Sequence, residues 1–200
     1  MFIIGITGGT GSGKTTIINK INKLFDPSNI GLLSSDSYYK DNSNLKFSER
    51  DNLNYDTPDA IDFDLLNNHI RLLKNDQNIN VPHYCFSTHL RLNTSTLFKP
   101  KKILIIEGIL ILSDRTLRDQ INFSVFLDCS RDTRFKRRLK RDINERGRNH
   151  EDVIKLFENR LDKMHQIHVK PMKKECDLVL DTENNTNIDL LIDVIKKNMK

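Results

Sequence analysis

Eight residues near the start of the chain, Gly8-Gly9-Thr10-Gly11-Ser12-Gly13-Lys14-Thr15, constrain its fold more than any other stretch. They satisfy G-x-x-x-x-G-K-[ST], in which successive backbone N–H groups point into one concavity and surround phosphate oxygens. Five of the chain's eight glycines fall between Gly5 and Thr16. That density is entropically costly unless the backbone must take angles closed to other residues. Phe2–Thr7 before the loop is a short β-branched run, and Ile17, Ile18, Ile21, Leu24 and Phe25 follow at helical spacing. The loop is therefore expected between a strand and a helix starting near Thr15, whose N-terminal partial charge adds to the anion site. Lys14 would reach the terminal phosphates and the Thr15 hydroxyl would bind Mg²⁺, with Thr16 following in the first helical turn.

The rest of the chain alternates in the same way. Ile30–Asp36, Lys102–Gly108, Phe123–Asp128 and Asp177–Asp181 are apolar runs of strand length. Strands buried on both faces read like this and belong to parallel sheets covered by helices. A helix is expected over Asp62–Leu73, with Leu65, Leu66, Ile70 and Leu73 on one face. Residues 77–100 read as two extended pieces with a turn near Asn93–Ser95, a hairpin insertion. The fold class is α/β, doubly wound, in one domain of 200 residues.

Composition narrows the setting. The longest apolar tract, Ile103–Leu112, is interrupted by Glu107 and falls short of the roughly 20 residues that cross a bilayer, so no membrane partner is expected. The first residues lack the basic flank and length of a signal peptide. Cys85, Cys129 and Cys176 are widely spaced and form no CxxC, which fits a reducing, cytoplasmic setting. The net charge of +5 is concentrated: residues 131–148 hold nine Lys or Arg against Asp132, Asp142 and Glu145. There Phe135, Leu139 and Ile143 recur every four residues as a docking stripe, with Arg134, Arg138 and Arg141 gathered on an adjacent face. Arg146 and Arg148 flank Gly147, an arrangement suited to a closing lid over phosphates, although a solvated basic helix has the same pattern. With Phe135 the only aromatic in the segment, no stacking platform for nucleic acid is evident.

A phosphate loop alone does not separate a kinase from a GTPase switch or a motor. Ligands of open α/β sheets bind beyond the carboxyl ends of the strands. Two acids stand there, Asp36 after the second strand and Glu107 at the end of the third. Either could hold Mg²⁺ or its waters, and one beside an acceptor hydroxyl could take its proton. A helix cap explains a lone Asp36 equally well. The guanine-reading NKxD and the DxxG turn of GTPases do not occur.

Over roughly Phe2–Leu180 the chain resembles the uridine kinase (uridine-cytidine kinase) family of P-loop nucleoside kinases. The resemblance is carried by the phosphate loop and by DSYYKD (Asp36–Asp41), NYDTPDAIDFDLL (Asn54–Leu66), PHYCFSTHLR (Pro82–Arg91), IIEGIL (Ile105–Leu110) and KRRLKRDINERGR (Lys136–Arg148). It implies a five-stranded parallel sheet with helices on both faces, a β-hairpin over the nucleoside site and an arginine-bearing lid at 131–150. It implies transfer of a phosphoryl group from ATP or GTP to the 5′-hydroxyl of uridine or cytidine, with Asp36 as general base and Thr15, Asp36 and Glu107 around Mg²⁺. Asp56 would hold the ribose hydroxyls, Tyr84 and His89 the polar edge of the pyrimidine, and Tyr55 and Phe86 its ring, with Tyr39 also at the nucleoside. Arg138 would lie near the ribose, and Arg141, Arg146 and Arg148 near the phosphates. A homotetramer is implied as well. Leu156 stands where family members carry a sugar-holding Gln, which leaves one ribose contact unaccounted for. His165 and His168, one helical turn apart, lack an apparent third metal ligand and read as exposed side chains. Other acceptors on the same scaffold, such as nicotinamide riboside, and a nucleotide-dependent switch remain the alternatives.

Overall fold

The computed structural model describes residues 1–184 and 186–199, and all of their side chains except that of Arg146. Its strands are β1 (Phe2–Thr7), β2 (Ile30–Ser34), β3 (Ile79–Cys85), β4 (Leu90–Phe98), β5 (Ile103–Glu107), β6 (Phe123–Asp128) and β7 (Leu178–Asp181). Five of these form one sheet in the order β2-β5-β1-β6-β7, every pairing parallel. The helices are α1 (Lys14–Leu24), α2 (Phe47–Asp51), α3 (Phe63–Lys74), α4 (Arg115–Arg118), α5 (Arg131–Arg146), α6 (His150–Leu156), α7 (Asp162–Met164) and α8 (Asp189–Met199). α6 and α7 belong to one helical run in which π-helical stretches, Phe157–Leu161 and His165–Val169, replace α turns.

The expected strands form because their side chains have apolar partners on both faces. Ile3, Leu104, Ile106 and Phe126 meet Leu66, Ile70 and Leu73 of α3 and Leu117 of α4 on one side. Ile4, Ile6, Ile105, Val125 and Leu127 meet Ile17, Ile18 and Ile21 of α1 and Leu191 and Ile195 of α8 on the other. Alternate residues of one strand thus serve two cores, as the pleat requires. Asp62 starts α3 by accepting from the Leu65 N–H at 3.0 Å, a side-chain cap for an otherwise unpaired helical donor. Among the described residues no helix is long and apolar enough to cross a membrane.

β3 and β4 form a separate antiparallel pair, but the turn is not at Asn93–Ser95. It lies at 86–89, and Asn93–Ser95 are inside β4. Thr94 and Thr96 face His83 across the pair, at 2.9 and 2.7 Å from its ring nitrogens. Polar residues that find cross-strand partners serve a strand as well as a turn.

Candidate active site

The carboxyl ends of β1, β2 and β5, paired in parallel, lie on one side of the sheet. β1 runs into the phosphate loop, and α1 begins at once behind it. Its N-cap, Gly13, offers no side-chain cap and its first turn holds no acid. The free N–H groups and positive end of the helix are left for an external anion. The Lys14 Nζ folds onto its own loop, donating to the Gly8 carbonyl at 2.9 Å and the Gly9 carbonyl at 3.3 Å. Burial lowers the Lys14 pKa, while Glu107 and Asp36 oppose that shift. The two acids supply the charge that keeps a buried ammonium in place.

Their positions follow from register. Ser34 of β2 lies opposite Glu107 of β5, and the Ser34 hydroxyl donates to the Glu107 carboxylate at 2.5 Å. The same oxygen accepts from the Asp36 N–H at 3.3 Å, starting the 3₁₀ turn Ser35–Tyr38 that carries Asp36. Burial raises the Glu107 pKa, with Lys14 pulling it down and Asp36 pushing it up. Thr15, Asp36 and Glu107 line the same cavity. One hydroxyl and two carboxylates are hard oxygen donors that suit Mg²⁺, which binds through few protein ligands plus phosphate and water. The residues present fit that ion.

The opposite end of the cavity is aromatic. Tyr39 lies 4.9 Å from Tyr84 and 5.4 Å from Tyr55 between ring centroids. Phe86 packs 5.4 Å from Tyr84, and Tyr55 stacks on His89 at 4.6 Å, within 11° of parallel. The hairpin is tied over this end by Arg91, whose Nη2 donates to the Tyr39 carbonyl at 2.7 Å and to Asp62 at 3.1 Å. Buried Arg50 pins the turn by donating from Nε to the Thr88 carbonyl at 3.0 Å. Held this way, His89 takes a left-handed φ of 53°, and its Nε2 lies 3.5 Å from Asp51. The Tyr84 hydroxyl and His89 Nδ1 are buried without a hydrogen-bond partner. Burial lowers the His89 pKa, so a neutral imidazole faces the cavity. Unpaired polar atoms in an apolar wall are costly unless a ligand completes them.

The basic helix α5 docks differently from the expected stripe. Ile143 is exposed, while Arg134 and Asp142 are the fully buried positions of the helix; Phe135 keeps a contact with Phe157 at 5.0 Å. Charge faces inward because α5 covers polar backbone at the outside of the phosphate loop. Arg138 donates to the Thr10 hydroxyl at 2.7 Å, and Arg137 to the Thr182 carbonyl at 2.7 Å. Arg138 and Arg141 share Asp142, at 2.5 and 3.2 Å. Arg134 leaves the expected row and pairs with Asp162 at 3.2 Å.

Together these groups enclose a cavity of about 820 Å³. Residues Thr10–Thr16, Asp36, Tyr39, Tyr55, Asp56, Tyr84, Phe86, His89, Glu107, Arg138, Arg141 and Arg148 all line it. Gly8 and Gly9 stand behind it with their carbonyls on Lys14, and the Arg146 side chain is outside the described part. Sequence reasoning missed Ser34, Asp51, Arg137 and Arg160, which also line the cavity. Ser34 was findable as the residue opposite Glu107 once parallel register is assumed. Arg137 was one cation among many, and Arg160 carried no signal.

His165 is not an exposed side chain: its Nδ1 is buried and unpaired. An added methyl at Gly9 would come within 2.6 Å of that nitrogen. Among the described residues no cluster of three or more His, Cys, Asp or Glu could hold a metal. Burial first, then Arg134, lowers the His165 pKa from 6.5 to about 4. A base held below its unfolded value contributes stability that is complete above pH 6.5 and lost as pH falls toward 4. Over pH 7 to 5 that loss should be about 1 kcal/mol, solvent screening of the partly exposed ring reducing it. Chemical denaturation at the two pH values should show His165→Gln with a correspondingly flatter dependence than the parent; equal slopes would contradict the buried neutral imidazole.

A parallel sheet in this strand order, with a phosphate loop after β1 and acids at the next two strand ends, defines a P-loop kinase. The family model described as Phosphoribulokinase / Uridine kinase family matches residues 3–189, and the chain belongs to that family. It is 43% identical to a uridine kinase of Clostridium perfringens over 196 residues, 97% of this chain and 94% of the relative. It is 42% identical to a uridine kinase of Staphylococcus haemolyticus over 191 residues, 94% and 92% of the two chains. In fold it is similar to phosphoribulokinase from Rhodobacter spheroides, with TM-score 0.65 and 14% identity over 90% of this chain and 69% of the other. D-glycerate 3-kinase from Cryptococcus neoformans gives TM-score 0.57 and 18% identity over 84% and 78%.

Proposed function

We propose that this chain is a uridine/cytidine kinase, transferring the γ-phosphoryl group of ATP or GTP to the nucleoside 5′-hydroxyl to give UMP or CMP in pyrimidine salvage. The observation that carries this reading is the single cavity with two unlike ends. A cationic phosphate loop forms one, and a box of four aromatic rings with an unpaired hydroxyl and an unpaired imidazole nitrogen forms the other. An aromatic box takes a flat ring, and the unpaired atoms take its polar edge. Neutral His89 Nδ1 can accept or donate according to tautomer, which tolerates both uracil and cytosine.

In the reaction, Asp36 receives the proton of the 5′-hydroxyl as the new O–P bond forms, and the bond from the γ-phosphorus to the leaving diphosphate breaks. Lys14 leaves the loop carbonyls for the β- and γ-phosphate oxygens. Arg141 and Arg148 bring guanidinium charge to the oxygens that gain negative charge. Thr15, Asp36 and Glu107 would hold Mg²⁺, which would supply charge neutralisation at the phosphates. The α5–α6 corner at Gly147 acts as the lid that excludes water.

The deciding experiment offers uridine, cytidine, thymidine and nicotinamide riboside side by side with Mg-ATP or Mg-GTP and follows labelled monophosphate. Uridine and cytidine are expected to lead by at least about tenfold. A preference for nicotinamide riboside would assign the aromatic box to a different base. No transfer to any acceptor would remove the kinase reading.

A further inference from the structure

Arg160 lines the cavity and has no part in the mechanism above. It lies four residues after Leu156 in the same helical run, and Leu156 lines the same cavity. Leu156 presents only hydrocarbon where the resemblance calls for a Gln on the sugar. Arg160 is in the π-helical stretch Phe157–Leu161, a departure from α geometry often found at functional sites.

Two contacts strap this helical run to the loop that carries Asp56. Arg160 Nη1 donates to the Leu53 carbonyl at 3.1 Å, and Asn54 Nδ2 lies 3.1 Å from the Met164 sulfur. Asn54 Oδ1 in turn accepts from the Asp56 N–H at 3.1 Å. Asp56 is half-buried, and Arg138 and Arg160 are the cations that most oppose the upward shift that burial gives its pKa, with Arg148 adding less. A guanidinium has five N–H groups in a planar fork, and one of Arg160's is engaged. A vicinal diol needs both an acceptor and donors, and Asp56 can only accept. Arg138 reaches the phosphate loop through the Thr10 hydroxyl, whereas Arg160 is tied to the Leu53 carbonyl of the segment that carries Asp56.

Building on the nucleoside kinase reading, we propose that Arg160 is a specificity-determining residue: from the same cavity wall as Asp56, it donates hydrogen bonds to the ribose 2′,3′-hydroxyls that Leu156 cannot contact.

The test measures binding of uridine, 2′-deoxyuridine and 3′-deoxyuridine by titration calorimetry, and turnover of each with Mg-ATP, for the parent and Arg160→Leu. The variant should bind uridine about 10- to 100-fold more weakly, and the analogue lacking the contacted hydroxyl less than about threefold more weakly. KM for ATP should not move. Adding Leu156→Gln to Arg160→Leu should recover part of the uridine loss without helping that analogue. Equal losses for all three nucleosides would overturn the proposal, leaving Arg160 a brace for the Leu53 carbonyl; so would a loss confined to ATP. Arg160→Gln, which keeps a donor for Leu53, is read by the same criteria if the Leu variant does not fold. Uridine bound but never phosphorylated would sink the kinase reading while the binding ratios still decide this one. A parent chain that binds none of the three sinks both.

Discussion

Asp36→Asn should lower kcat for uridine phosphorylation by about 10²- to 10⁴-fold while leaving affinity for both substrates within a few-fold of the parent. The amide keeps an oxygen near Thr15 and Glu107 but cannot take a proton. What is lost is therefore an interaction made in the transition state, which appears in kcat and kcat/KM alike. Pre-steady-state turnover with Mg-ATP and isothermal titration of each substrate separate the two quantities. A fall of less than about tenfold would transfer the base to another group or to solvent. Glu107 is a poor substitute, since its carboxylate already accepts from the Ser34 hydroxyl across the strand pair.

Gly11→Ala should abolish useful nucleotide binding, with affinity for ATP falling about 100-fold or more. Gly11 has φ of +76°, and a Cβ there would lie 2.5 Å from the Arg134 carbonyl oxygen and 3.2 Å from its carbonyl carbon and Cα. The left-handed backbone alone costs about 1–2 kcal/mol for an L side chain. The clash adds to it, because the opposing atoms are main chain of α5 and cannot rotate away. Gly147→Ala is the matched control: φ is +62° and nothing lies within 4 Å of an added Cβ. It should show the backbone cost, about 1 kcal/mol in denaturation, with nucleotide affinity nearly intact. Equal effects at the two glycines would mean that close docking of α5 does not shape the phosphate loop.

The sheet and the phosphate end were legible in the sequence because both are written locally. β5 and β6 are continuous apolar runs, and the loop motif specifies its own backbone. Asp36 and Glu107 could be placed because a strand's end is visible where its apolar run stops. The hairpin turn could not, since tertiary contacts fix it. Arg50 holds Thr88 and Arg91 holds Tyr39, so Phe86–His89 turn although the segment has no Gly, Pro, Asn or Asp. The inward face of α5 was misread for a related reason. An apolar stripe marks the buried side only when the neighbour is apolar, and here the neighbours are the Thr10 hydroxyl and the Thr182 carbonyl. His165 and Arg160 lie in or beside π-helical stretches, where the α-helical period no longer predicts which side chains point inward.

Asp142 is fully enclosed and bears two guanidinium groups on one carboxylate. Until a polyphosphate arrives, it acts as the resident counter-ion of the arginine cluster, keeping Arg138 and Arg141 from repelling each other. One negative charge cannot cancel two positive ones. The remainder stays as an attraction felt by anions that reach the site.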